Sequence, residues 1–387
     1  MNTRALACAA LLLPGACGPQ AERQTRSLDP AASLAGVPDS GFARATELRP
    51  FVFPEDHGPH PQFRTEWWYV TANLEGESGA EYGVQFTVFR SALAPPGAVV
   101  ALPGPTSPWE TRQAYMAHFA VGDVQGARFF SFERFARGAA GIAGARSEPQ
   151  FRVWVDAWEI RSLEATRAGA EGIFPLRLAA ADSTVSVDLV LEAGRGLVAQ
   201  GEGGLSPKGD EPGQASYYYS FPRMPLSGQI RTARGTEAVT GVAWMDREWS
   251  TSVLSEDQEG WDWFALHLPD GRDLMLFELR SRVGAPRVDG TLVGPDGTAR
   301  RVDSGQVAVE VLDRWTSAVD GSIYPSGWRI RLAEEDVDVT VIPLLDDQEL
   351  VHTFRYWEGA VRVTDGAGSE GRGYVELTGY AGRALQR

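Results

Sequence analysis

Cysteine is nearly absent from this 387-residue chain, with Cys8 and Cys17 as the two copies, both close to the N-terminus. The body of the protein therefore has no internal disulfide framework, no thiolate metal site and no cysteine nucleophile. Positive charge is also short, at 36 Lys and Arg against 51 Asp and Glu, for a formal net charge of -15. Counterion release on a phosphate backbone needs clustered cations, so nucleic acid is excluded as a partner class. No G-x-S-x-G elbow occurs, and the Gly201 to Gly204 segment lacks the Lys-Ser/Thr and helix of a phosphate-binding loop. His118, His267 and His352 are isolated on strands or turns, which leaves a secreted ester hydrolase as an alternative that geometry alone can decide.

The N-terminus has the layout of an export signal. Arg4 precedes the apolar run Ala5 to Leu13, which is too short to span a bilayer and gives way to small residues ending at Cys17. Leu13-Pro-Gly-Ala-Cys17 resembles a bacterial lipobox, with Pro14 as its departure from the pattern. Residues 1–17 are thus expected to be a signal peptide with Cys17 as the lipidation site, and the polar, Pro- and Gly-containing 18–45 segment a flexible linker. The mature protein would be exported and held in the periplasm or at the outer membrane by its lipid, possible association with an export system included.

From Phe51 onward no long stretch keeps an apolar face at helical spacing, and a period of two prevails. Tyr82, Val84, Phe86 and Val88 alternate with smaller or polar residues, as do Val185, Val187, Leu189 and Leu191, and again Trp328, Ile330 and Leu332. Turn signals such as Pro269-Asp270-Gly271 separate these runs. The segment Trp67-Trp68-Tyr69 through Phe89-Arg90 is echoed by Trp261-Asp262-Trp263 through Leu279-Arg280. The expected fold is all-β, two tandem antiparallel barrels with few helices, divided near Pro222 to Gly228 into domains 46–225 and 226–387.

Charge and aromatic area meet most densely between Gly241 and Leu268. Here Asp246, Arg247, Glu248 and Asp262 lie beside Trp244, Trp249, Trp261 and Trp263. A carboxyl kept protonated by apolar surroundings supplies a proton, and indole faces stabilise a cation; an arginine among the same groups suits a structural ion-pair knot. Both readings stay open. Glu66 is a further candidate acid, or else a partner for Arg64 or Arg90. Asp56, His57 and His60 match no standard metal-ligand spacing, so no metal is expected.

Three motifs, FPEDHGPHPQFRTEWWYVTANL (Phe53 to Leu74), SYYYSFPRMPLSG (Ser216 to Gly228) and GVAWMDREWSTS followed by GWDWFALHL, resemble the bacterial AttH-like "secreted hydrolase" proteins related to carotenoid 1,2-hydratases. The resemblance covers about residue 50 to the C-terminus. It implies lipocalin-like barrels, no cofactor and an apolar ligand, which barrels of this size enclose. On it, Trp67, Trp68, Tyr69, Tyr218, Trp261 and Trp263 are candidate ligand contacts, and Asp246, Glu248, Trp249, Asp262 and Glu66 candidate catalytic residues. Where the hydratase pattern has a histidine two residues before Trp249, this chain has Arg247. Three functions follow: a carrier of a lipid- or terpenoid-like molecule, a cofactor-free hydratase or isomerase acting on a carotenoid-like alkene, or a structural protein whose barrels are filled with side chains.

Overall fold

A computed structural model describes residues 40–98, 110–251 and 257–381. The export segment, Cys17 and most of the expected linker lie outside the described residues. Residues 40–45 are docked on the barrel, with Ala45 buried and the Ala43 N–H donating to the Gln62 carbonyl (2.9 Å). The period-two runs form strands. Among the described residues the helical segments are three short 3-10 turns, Glu55–His57, Ala170–Ile173 and Ala333–Glu335.

Among the described residues the strands build two antiparallel sheets of 13 and 10 strands and a separate two-stranded ribbon. The first sheet starts at Arg128–Arg137 and runs back through Gln113–Asp123, Glu81–Ala92 and Thr65–Gly76. It then jumps to Gly235–Ser250 and Ala215–Thr232 and continues through Ser186–Leu191 to Ala143–Arg146. Arg128–Arg137 comes back against Arg152–Val155, so this sheet is nearly a barrel. The second, a half-barrel, is centred on Gln258–His267, Asp273–Ser281, Glu370–Leu377 and Arg355–Asp365. The architecture is a tandem of lipocalin-like barrels.

The expected division at Pro222 to Gly228 is corrected by this topology. Strand Ala215–Thr232 runs through it, and residues up to Ser250 pair within the first sheet, so the chain changes sheets between Ser250 and Gln258. Pro222 marks an irregularity inside a strand: the register shifts between Phe221 and Met224, and Arg223 takes a φ of 50°. A bulge and a boundary carry the same Pro/Gly signal.

The internal echo is real in three dimensions. Each copy is a hairpin, Thr65–Gly76 with Glu81–Ala92 and Gln258–His267 with Asp273–Ser281. In each, an acid on the first strand pairs with the arginine near the end of the second, Glu66 with Arg90 and Asp262 with Arg280.

Both barrel interiors are packed with side chains. Trp68, Phe86, Phe119, Trp158 and Phe221 fill the first, and Phe264, Trp328, Val339 and Trp357 the second. A third cluster, including Tyr69, Tyr218, Trp244, Trp263 and Phe277, lies between them. The sheets approach closely at Gly83, where an added Cβ would lie 2.6 Å from the Ala360 Cβ.

Candidate active site between the two barrels

Strand alternation splits the charged stretch in two. On Gly235–Ser250, Arg247 and Trp249 face the first barrel's interior, while Asp246 and Glu248 face the second sheet. The inward face is the ion-pair knot. The Arg247 guanidinium lies 4.0 Å from the Trp68 ring, donates to the Gly58 carbonyl (2.6 Å) and pairs with Glu66, which also binds Arg90. Burial alone would raise the Glu66 carboxyl, but Arg247 and Arg90 outweigh it and hold the group below the usual carboxylate range. Glu66 is thus an ionised structural partner. The expected catalytic placement of Trp249 and ligand placement of Trp68 are corrected likewise, since Trp249 stacks on His60 inside the barrel (centroids 3.9 Å apart) and Trp68 donates to the His57 carbonyl (2.8 Å).

The outward face borders a cavity of about 810 Å³ between the barrels. Trp67, Tyr69, Tyr218, Trp261, Trp263 and Phe277 wall it, and its ionisable groups include Asp246, Glu248, Glu376, Lys208 and Arg64. Five of the six expected ligand contacts therefore meet here. Register explains it: Asp246 pairs with Tyr69 and Glu248 with Trp67 on one side, and Glu248 with Tyr218 on the other. The expectation of a ligand enclosed by one barrel is replaced by a cavity on their facing outer surfaces. Asp262 does not join it. Alternating with Trp261 and Trp263, it points away to Arg280 (2.9 Å) and the Tyr380 hydroxyl (2.9 Å).

Asp246 is buried, and its carboxyl accepts from Ser220 Oγ (2.5 Å), Trp244 Nε1 (2.6 Å) and the Tyr218 hydroxyl (2.6 Å). Burial pushes its pKa up to about 7 against those three bonds, and the Glu248 charge adds to the rise. Glu376 accepts from Trp261 Nε1 (2.8 Å) and is pushed up to about 8 by burial, with Asp246 and Glu248 raising it further. Glu358 lies behind them, raised well above the carboxylate range by burial and by Glu376. It accepts from the Tyr69 hydroxyl, and the nearby Tyr356 hydroxyl bonds His118 Nδ1 (2.7 Å). The cavity thus carries carboxyls that hold protons near neutral pH beside electron-rich rings.

Glu376, Glu358 and Lys208 escaped the sequence reading. Glu376 sits at an outward position between Val375 and Leu377, which are buried in the second barrel. Lys208 had a signal, being the only lysine in the chain.

The histidines of the Asp56 segment are held by hydrogen bonds. His57 bonds the Tyr219 hydroxyl (2.7 Å) and the Ala170 carbonyl (2.9 Å), and burial lowers its pKa to about 3. For an ester hydrolase the relevant pair is Ser131 Oγ and His352 Nε2 (3.0 Å), outside the large cavity. Among the described residues His352 has no hydrogen bond to a carboxylate, so the third member of a triad is missing.

Fold and site together define a tandem lipocalin-like β-barrel protein with an acid-lined apolar cavity at the barrel junction. The chain belongs to the AttH-like family, whose sequence pattern matches residues 44–380. It is similar to the crystal structure of an AttH protein from Nitrosomonas europaea, at 32% identity and a TM-score of 0.74, covering 88% of this chain and 100% of that one. It shares its fold with kievitone hydratase from Nectria haematococca, at 16% identity and a TM-score of 0.62 over 88% of this chain and 98% of that one. No curated protein matches in sequence.

Proposed function

We propose that this protein binds an apolar, lipid- or terpenoid-like small molecule between its barrels. The observation that carries this is the cavity of about 810 Å³ walled by Trp67, Tyr69, Tyr218, Trp261 and Trp263. Its size suits a drug-sized or larger ligand, and aromatic walls favour an apolar body. Export and lipidation at Cys17 would place such a binder in the cell envelope. Native mass spectrometry of the purified protein, followed by extraction, tests the reading. A stoichiometric apolar adduct is expected, and it should be lost when Trp261 and Trp263 are both replaced by Ser. An adduct that persists in that variant would place the ligand elsewhere.

A second reading, acid-catalysed hydration of an alkene, is favoured by the raised pKa values of Asp246 and Glu376 at the cavity wall. Asp246 gives its proton to one alkene carbon, leaving a carbocation that the indole and phenol faces stabilise. Water adds to the cation and its extra proton returns to the Asp246 carboxylate, so hydrogen and charge balance. The matching of kievitone hydratase in fold agrees with this chemistry without carrying it. Incubation of acyclic isoprenoid alkenes in H₂¹⁸O should yield labelled alcohol, with Asp246→Asn slower by about 100-fold or more, the usual worth of a general acid. Equal rates for the two proteins would remove Asp246 as the donor.

A further inference from the structure

We infer that the ligand carries a hydroxyl group and that Lys208 and Glu248 hold it. This rests on the reading that the cavity takes a ligand and names the chemistry of one end of it. Both side chains are more than nine-tenths buried and both line the cavity. The Lys208 ammonium has three donors to place. Its one hydrogen bond among the described residues goes to Ser206 Oγ (3.1 Å). It stands 3.3 Å from Glu248 Oε1, an ion-pair distance, yet that oxygen is buried without a hydrogen-bond partner. The Phe277 ring 4.0 Å from Nζ gives the cation partial compensation. The Glu248 oxygen has the ammonium as its ion-pair partner but accepts no hydrogen bond, and a buried acceptor left without one is unfavourable.

Few ligand groups meet both needs. A ketone or ether oxygen accepts from Lys208 but leaves Glu248 without a donor. A carboxylate sets a second negative charge beside Glu248, and an amine cation sets a positive charge beside Lys208. A hydroxyl accepts from Lys208 and donates to Glu248 at once. Water can do the same before the ligand binds, so the ligand hydroxyl replaces a water and recovers its hydrogen bonds. The ligand class is an apolar skeleton with an alcohol or phenol at the end that reaches Lys208, its remainder lying along Trp67, Trp261 and Trp263.

Calorimetric titration with farnesol, farnesyl methyl ether and a geranyl-substituted phenol tests this. Farnesol or the phenol should bind roughly tenfold or more tighter than the ether, which cannot donate. Whichever of the two binds better identifies the hydroxyl class. The double variant Lys208→Met with Glu248→Met removes both charges together and should bring the alcohol-to-ether ratio close to one. A second readout needs no variant. Lys208 is the only lysine, so its acylation by acetic anhydride is followed by mass at one peptide, and farnesol should protect it better than the ether does. Equal affinity of alcohol and ether for the wild-type protein, an unchanged ratio in the double variant, or equal protection overturns the hydroxyl assignment alone. Failure of all three probes to bind overturns the cavity-ligand reading beneath it.

Discussion

Asp246 is set by opposing forces: complete burial beside Glu248 favours its acid, and three donors favour its carboxylate. The acid gains, and the consequence for stability has a definite sign. In the unfolded chain this carboxyl ionises near its ordinary value of 3.8, and in the fold at about 7. Between those values the unfolded chain has released its proton and the fold has kept it. The stabilisation is full below pH 4, falls as pH rises through the window and is gone above about 7. One such group contributes a slope of at most about 1.4 kcal/mol per pH unit. Urea unfolding from pH 4.5 to 7.5 should show the decline, and Asp246→Asn should make it shallower, because an amide does not titrate in this range. A slope unchanged by the substitution would mean that Asp246 is ionised in the fold. Glu66 behaves in the opposite way, since it is ionised between two buried guanidinium groups. Glu66→Gln leaves Arg90 and Arg247 without their counter-charge and should lower stability by about 3–5 kcal/mol at neutral pH. A loss under 1 kcal/mol in the same urea assay would contradict the ion-pair knot.

Within a strand, a shift of one residue decides between core and cavity. Trp67 and Trp68 show the contrast, the first lining the cavity and the second filling the barrel. Trp68→Leu should lower the melting temperature strongly, in keeping with about 3 kcal/mol or more for a truncated buried tryptophan. Trp67→Leu should leave melting nearly unchanged and weaken binding of an apolar fluorescent probe. If the two variants behave alike in both assays, the assignment of faces is wrong. This same alternation explains what could be read in advance. Tyr82, Val84, Phe86 and Val88 announced their strand because period two is visible locally, and the paired hairpins announced themselves through their repeated aromatic and arginine positions. The facing was hidden. Where a strand is buried on both sides, as around Asp246, neither face is marked by polarity, and Asp246 and Asp262, 3 and 13 positions from Trp249, look equally able to share its pocket. Asp246 and Asp262 therefore read as one pocket, although their strands turn them to opposite sides. Glu376 was invisible for a further reason: its closeness to Asp246 arises from how the two sheets dock, which no local pattern encodes.

For the whole molecule, the proposed binding site depends on the docking of one sheet against the other. Cross-sheet bonds hold it: Asn73 Nδ2 to the Gly373 carbonyl (3.1 Å), Thr291 Oγ1 to Gln200 (2.6 Å), and Arg195 with Arg223 on Asp273. Gly83→Val would push into Ala360 and Tyr374 and force the sheets apart. It should abolish probe binding while circular dichroism still reports β structure; unaltered binding would show that the junction does not form the site. The first barrel takes its strands from residues as late as Ser250, so a chain ending at 225 should fail to fold and one ending at 257 should be soluble, as judged by proteolysis. The same junction supplies the most direct test of all, a crystal structure of the protein soaked with farnesol. Ligand density between Trp67 on one sheet and Trp261 and Trp263 on the other is the expected result. Density enclosed inside either barrel, displacing Trp68 or Trp328, would contradict a site built between them.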